Sequence, residues 1–332
     1  DVLKFGKDRP KIQDPILEDV IKRAFSHFKV VPVNPIHLND VPKLLLDNWS
    51  TSPGLPWRNQ GYRSKRDVAD DPYAFQSIRK FWHKIKNGEK LAGPDCAAYL
   101  RAHIVQEGTE KVRAVWGYPC TISFQEVCFA KPLIDAMKTI PGIAYGYETT
   151  KGGCRKIWNR FGRYSNLASF DFKSFDKTVP SWLIRIAFDI LLLNVSFEQY
   201  QFEGVPIASK LYRAWKFIVN YMIKTPIRLC NGERYRKTTG IASGSYFTQL
   251  IGSICNWIII NYVFEKLGNS VLDLITFGDD SIVATALPIK LRKVIKLVSK
   301  FGMELNITKT QTAKSINDIK FLGYLINHGN PT

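Results

Sequence analysis

Two short acidic elements carry the residue types that phosphoryl chemistry uses. The stretch DFKSFD separates Asp171 from Asp176 by five positions, and TFGDDSIVAT sets Asp279 and Asp280 side by side between apolar flanks. LITF before the second pair and SIVATA after it read as the two arms of a hairpin, with the acids at its turn. Adjacent like charges repel, and a tight turn gives them little room to separate. Taken alone, Gly-Asp-Asp is ordinary turn chemistry, so a surface turn and half of a metal site both fit it. Brought to one sheet edge, Asp171, Asp279 and Asp280 would repel strongly and raise one another's pKa. Divalent cations remove that problem, and Mg²⁺ prefers a few carboxylates together with substrate phosphates and water. Two such ions ~4 Å apart stabilise both the attacking and the leaving oxygen of a phosphoryl transfer.

The elements that must hold these acids are legible around them. NLASFDF (166–172) reads as a strand, and KSFDKTVP turns off it. SWLIRIAFDILLLN (181–194) reads as a helix with Pro180 near its first position. The run at 245–267 is a long, mostly apolar helix stopped by Gly268. After the hairpin at 271–286, residues 288–302 form a basic helix with Leu291, Val294, Ile295, Val298 and Phe301 on one stripe. MELNI and KFLGYLI read as further short strands. Upstream, 14–29 and 71–87 are amphipathic and each begins with Asp then Pro, a cap and first-turn pair. IRLCNGERYRK places Asn231-Gly232 between two β-like arms, a strong hairpin signal. This order predicts the α+β class, an antiparallel sheet backed by helices.

Composition narrows the partners. The chain has 332 residues, 45% hydrophobic and 13% aromatic, too rich for disorder and long enough for two or three lobes. With 47 Lys and Arg against 29 Asp and Glu, the formal net charge is +18, which favours a polyanionic partner. Basic patches with interleaved aromatics at 151–164 and 211–237 suit phosphate contact plus base stacking. The longest apolar runs, 183–195 and 250–264, fall short of the ~20 residues that span a bilayer, and no signal peptide opens the sequence. Six scattered cysteines without a C-x-x-C pair point away from structural zinc and from a disulfide scaffold. The five histidines form no cluster near the acids. The first residue is Asp rather than Met, as expected of a piece of a longer protein.

D-x4-D on a strand, then S-G-x3-T-Q-x6-N, then G-D-D, resembles motifs A, B and C of the viral RNA-dependent RNA polymerases, in that family's order. TSPGLPW (51–57) resembles motif G, EKVRAVWGYP (110–119) motif F, FGMELNITKT (301–310) motif D and KFLGYLI (320–326) motif E. RAVWGYP and GDDS look most like the partitivirus-type polymerases of small double-stranded RNA viruses. The resemblance implies a right-hand polymerase: a palm with an antiparallel sheet and the GDD hairpin, mostly helical fingers, and a thumb largely absent from this chain. Fingers are expected at 1–165 and 197–240, palm at 166–196 and 241–332.

The implied roles follow the motifs. Asp171 and Asp279 would ligate two Mg²⁺ or Mn²⁺ ions, with Asp280 assisting and the Phe172 carbonyl in reach. Asp176 and Asn256 would read the ribose of the incoming NTP, since a carboxylate and an amide together can hold a 2′-hydroxyl. Lys111 and Arg113 would neutralise the triphosphate, and Ser243, Gly244 and Thr248 would contact the nucleotide beside a helix N-terminus. Lys309 is the candidate general acid for pyrophosphate release. Ser52, Gly54 and Pro56 are expected against the template. Expected partners are the RNA template and product, NTPs and a viral capsid protein, without a membrane, in the host cytoplasm and the virion. The rivals are a reverse transcriptase, for which Phe277-Gly278-Asp279-Asp280 would serve as the aromatic-x-Asp-Asp turn, and a non-catalytic basic RNA-binding protein.

Overall fold

The computed structural model describes residues 2–102 and 112–331, with the backbone alone at 100–102, 112 and 113. Its elements group into two units, each with a four-stranded sheet of its own. Residues Asp8–Val31, Ile134–Leu192 and Gln249–Thr332 form the unit that carries the acids, and Asp1–Lys7, Pro32–Leu133 and Leu193–Thr248 form the other. This grouping places 8–31 and 134–165 with the acid-bearing segments, whereas the resemblance assigns both to the fingers.

In the acid-bearing unit the sheet order is Val271–Phe277, Asp280–Thr285, Leu167–Ser169, Gln311–Ala313, antiparallel throughout. The hairpin forms where two apolar, β-prone runs flank a Gly-Asp turn, and both strands carry a run of consecutive buried residues. Phe277 pairs with Asp280, which leaves Gly278 and Asp279 as a two-residue loop. Gly278 has φ 62°, the conformation that such a loop requires at its first position and that glycine adopts without strain. One sheet face packs on Ile157 and Phe161 from the helix Gly153–Phe161, with Ile275, Ile282, Ile316 and Ile319 in the same core. The first helix, Pro15–His27, starts as its sequence predicts: the Asp14 side chain accepts from the Ile16 N–H, and Pro15 occupies the first turn. Asp14 also accepts from Tyr262 Oη at 2.8 Å and pairs with Lys266, and these contacts hold its carboxyl down at about 2.

The other unit has the strand order Val112–Gly117, Cys96–Ala102, Pro226–Arg228, Arg234–Arg236. The first and last pairs are antiparallel and the middle pair is parallel. The hairpin predicted at Asn231-Gly232 is the last pair, with Gly232 at φ 88°. Buried aromatics fill its core, where Phe129, Trp215 and Phe247 meet edge to face. No helix among the described residues is long and apolar enough to cross a membrane.

Two expectations meet different geometry. The strand read over 166–172 covers only Leu167–Ser169, so Asp171 lies just beyond it. MELNI supplies one bridge, Phe172 to Leu305, rather than a strand. The reason is the turn that follows: the Lys309 and Thr310 amides both donate to the Asn306 carbonyl and bend the chain away.

An ion pair braces the hairpin's first strand from outside. Arg160 reaches Asp273 through Nε at 2.8 Å and Nη2 at 2.7 Å, and also donates to the Pro141 and Leu274 carbonyls. Both side chains are mostly covered, so removing one partner strands the other charge. Arg160→Ala is expected to lower the unfolding free energy by about 2–3 kcal/mol in urea denaturation.

Candidate functional site

The hairpin turn is held by one face of the helix Thr248–Lys266. Gln249, Gly252, Ser253 and Asn256 recur at the i, i+3, i+4, i+7 spacing that aligns side chains on one face. Ser253 Oγ accepts the Gly278 N–H at 2.8 Å and donates to the Gln249 carbonyl at 2.7 Å. Asn256 Nδ2 lies 3.1 Å from the Gly278 carbonyl, 3.1 Å from that of Asp279 and 3.4 Å from that of Asp280. Thr276 closes the clasp from the strand, donating to the Ser253 carbonyl at 2.9 Å. Close approach explains both glycines. A Cβ on Gly252 would come within 3.3 Å of Gly278 Cα, and one on Gly278 would meet Gln249 Nε2 at 2.9 Å.

This clasp fixes where the acids stand. Asp279 is exposed at the tip, and Asp280 is partly buried at the start of the second strand. The neighbouring strand Leu167–Ser169 leads into Asp171, whose N–H donates to Thr310 Oγ1 at 3.1 Å. The Asp171 carbonyl accepts from the Asn306 N–H at 2.7 Å, so its backbone is tied on both sides. The Asp280 carboxyl is pushed up to about 6, first by burial and then by the charges of Asp279 and Asp171. Asp280 therefore stands close enough to Asp279 and Asp171 to feel both of their charges.

The donor set is all carboxylate oxygen, the chemistry a hard divalent cation takes. Among the described residues no group of three or more His, Cys, Asp or Glu is arranged to hold a metal ion. The residues thus fit such a cation by chemistry and mutual charge, without forming a closed coordination shell.

The remaining candidates fall in several places. Asp176 is exposed in the first turn of the short helix Phe175–Thr178, entered through Ser174 at φ 54°. Lys309 is exposed on the turn after Leu305. Phe172 is buried at its bridge, whose bonds run through the Asp171 carbonyl and the Lys173 amide and leave the Phe172 carbonyl out. Asn256 is fully buried, and its Oδ1 accepts no hydrogen bond from the described residues. These belong to the acid-bearing unit.

The other unit holds the rest. Ser243 Oγ accepts the Trp116 N–H at 3.2 Å, and a Cβ on Gly244 would strike the Trp116 carbonyl at 2.0 Å, so only glycine fits there. Thr248 Oγ1 donates to the Ala242 carbonyl at 2.6 Å. Ser52 Oγ lies 3.1 Å from Tyr99 Oη, Gly54 has φ 71° and packs on Pro119, and Pro56 begins the turn before Trp57–Gln60. Arg113 pairs with Arg101 across two strands, and Lys111 lies outside the described residues.

Comparison with known proteins decides the family. A family model described as viral RNA-dependent RNA polymerase matches residues 34–330. The chain belongs to that family. It is 28% identical to the RNA-directed RNA polymerase of Cryptosporidium parvum virus 1, over 98% of this chain and 67% of the relative. It is 27% identical to that of Atkinsonella hypoxylon virus, over 70% of this chain and 42% of the relative. The solved RNA-dependent RNA polymerase of a human picobirnavirus, an insertion-loop deletion mutant, shares the fold with a TM-score of 0.70 at 17% identity. That match covers 97% of this chain and 60% of the solved one. This viral polymerase chain thus spans between two fifths and two thirds of the length of these relatives. Its α+β architecture is that of the right-hand polymerases, and its family is that of RNA-templated RNA polymerases rather than reverse transcriptases.

Sequence reasoning named Gln249 and Asn256 but missed Gly252 and Ser253. The signal was available as small and polar residues at helical spacing inside an otherwise apolar helix. Asn256→Ala removes the donor shared by three turn carbonyls, and is expected to destabilise the fold by about 2 kcal/mol in denaturant titration. Because the folded-state pKa of Asp280 is raised, its contribution to stability is full below about pH 4 and lost as pH rises through 6. Asp280→Asn is therefore expected to match the metal-free parent at pH 4 and to exceed it by about 1–3 kcal/mol at pH 7, measured by thermal unfolding.

Proposed function

We propose that this chain catalyses RNA-templated RNA synthesis, joining an RNA 3′-hydroxyl to the α-phosphate of an NTP. The observation that carries this reading is the shared edge at which Asp280 is charge-coupled to Asp279 and Asp171, under a turn that the long helix clasps. Asp171 and Asp279 are the residues assigned to hold divalent cations, two Mg²⁺ or Mn²⁺, with Asp280 and the Phe172 carbonyl assisting. Such cations, when bound, neutralise charge developing on the phosphate oxygens.

The chain's own groups supply orientation and selectivity. Asp176 is assigned to the ribose 2′-hydroxyl. Asn256, whose amide donors hold the turn, offers its Oδ1 as the acceptor that remains. A site built to bond that hydroxyl rejects the deoxy analogue strongly. Lys111 and Arg113 are assigned to the triphosphate, and Lys309, on an exposed turn, to protonation of the leaving pyrophosphate. Ser243, Gly244 and Thr248 are assigned to the nucleotide, and Ser52, Gly54 and Pro56 to the template. The net charge of +18 supports an RNA partner. Resemblance to polymerases of small double-stranded RNA viruses supports genome replication and transcription in the host cytoplasm and inside the virion, with a capsid protein as a further partner.

The test is incorporation of labelled NTP on a defined RNA template with Mg²⁺. Asp171→Ala and Asp279→Asn are each expected to lower the rate a thousand-fold or more, roughly 4 kcal/mol of transition-state stabilisation, with circular dichroism unchanged. Near-parental elongation by either variant, or preference for dNTP over NTP, would overturn the reading.

A further inference from the structure

The loop that carries Ser243 and Gly244 is anchored by an acid outside the motif-like stretches of this sequence. Glu126 lies on the helix Cys120–Met137 and is fully buried. Its Oε2 accepts from Ser245 Oγ at 2.5 Å, and its Oε1 accepts the Tyr246 N–H at 3.3 Å. Ser245 Oγ in turn accepts the Phe247 N–H at 3.1 Å. One carboxyl thus governs two consecutive amides, directly at Tyr246 and through a hydroxyl at Phe247. The rest of the loop is tied elsewhere in the same unit. The Ser243 hydroxyl takes the Trp116 N–H, Gly244 lies against the Trp116 carbonyl, and Tyr246 Oη donates to Asn48 Oδ1 at 2.7 Å.

A buried carboxylic acid is costly in its charged form, and a fold retains one where its bonds do something an apolar side chain cannot. Among the described residues, no other side chain accepts the Tyr246 amide or the Ser245 hydroxyl. We propose that Glu126 is a positioning residue for nucleotide binding, holding the 243–247 loop in the single conformation that presents Ser243 and Gly244 to the incoming NTP. This rests on the polymerase reading for the identity of the ligand, whereas the anchoring itself does not.

Burial also pushes the Glu126 carboxyl up to about 8, so at neutral pH it is largely the protonated acid. Lys65 is the cation facing it, and Cys96, Tyr118, Tyr221 and Tyr246 from the surrounding elements carry the effect of its charge. With the folded-state pKa raised, stability from this group is present at low pH and lost as pH rises through about 8. Glutamine keeps the shape and the pattern of the protonated acid, with Oε1 accepting the Tyr246 N–H and Nε2 donating to Ser245 Oγ, and it does not ionise; alanine removes both contacts.

The experiment measures amide hydrogen exchange across 241–248, corrected for intrinsic rate, in the parent, Glu126→Gln, Glu126→Ala and Ser245→Ala proteins, beside NTP kinetics on an RNA template. Exchange at Tyr246 and Phe247 is expected to rise ten-fold or more in Glu126→Ala, to rise at Phe247 in Ser245→Ala, and to stay within two-fold of the parent in Glu126→Gln. The NTP KM is expected to rise about ten-fold in Glu126→Ala with kcat within two-fold, and to return to the parental value in Glu126→Gln. Unchanged exchange in both alanine variants, a Gln variant as impaired as Ala, or a KM indifferent to Glu126 would overturn the proposal. Should Glu126→Ala fail to fold, Ser245→Ala and Glu126→Gln carry the same comparison. Exchange needs no turnover, so a parent that incorporates no nucleotide sinks the polymerase reading and leaves the anchoring measurement standing.

Discussion

The clasp between one helix face and the hairpin turn is the contact on which the acid-bearing unit depends. A two-residue turn carrying adjacent aspartates has every electrostatic reason to open, because separating the charges lowers their energy. Four hydrogen bonds from Ser253 and Asn256 oppose that opening, and they reach the turn's backbone rather than its carboxylates. The distinction matters chemically. Had the helix satisfied the carboxyl oxygens, the acids would be neutralised by the protein and useless toward a cation or a phosphate. Backbone capture holds the turn's geometry without using its carboxylates.

The same economy shows in the sheet. Asp171 stands beyond the end of a three-residue strand, with its N–H and C=O both engaged by 306–310. Its backbone is as fixed as that of a strand residue, while its carboxylate lies outside the ladder. On the far side, Arg160 braces the strand that feeds the hairpin by a bidentate pair with Asp273. The Asp273 carboxylate, paired with arginine, is structural, whereas Asp279 and Asp280 stand at the turn. Position along a strand, rather than residue type, separates the two uses of aspartate.

The motifs were legible because they are linear: Asp171, Asp176, the Ser243 to Asn256 run and the Gly-Asp-Asp triplet stand in order along the chain. The long helix, the hairpin and both Asp-Pro helix starts were legible from periodicity and caps. Three of the longer helices were not read. Gly153–Phe161 shows a basic, aromatic surface to the eye, yet Cys154, Ile157 and Phe161 are its buried stripe. Ala208–Ile223 was hidden in the same way by its cationic and aromatic residues. Cys120–Met137 is apolar on most sides and contains Pro132, so neither period nor propensity marks it. MELNI is apolar enough for a strand, but a turn at Asn306 limits it to one bridge, a tertiary fact that no window of sequence contains.

What linear motifs cannot carry is the identity of the atom that does the holding. Asn256 reads in sequence as a side chain for the substrate, yet its amide donors face three backbone carbonyls of the turn and only its buried Oδ1 is left over. Glu126 sits in an apolar run, CTISFQEVCFA, that offers no reason to notice it, and it takes the amide next to Ser245. In both places a fully buried polar side chain is directed at backbone, and in both the loop it fixes carries motif residues. A buried polar group with no partner is among the most costly features a fold can hold. Loss of either loop conformation would create such groups on both sides of the broken contact. The energetic penalty of unpaired burial therefore acts as the lock, and specificity for one loop geometry follows from the same physics that makes buried polar groups rare.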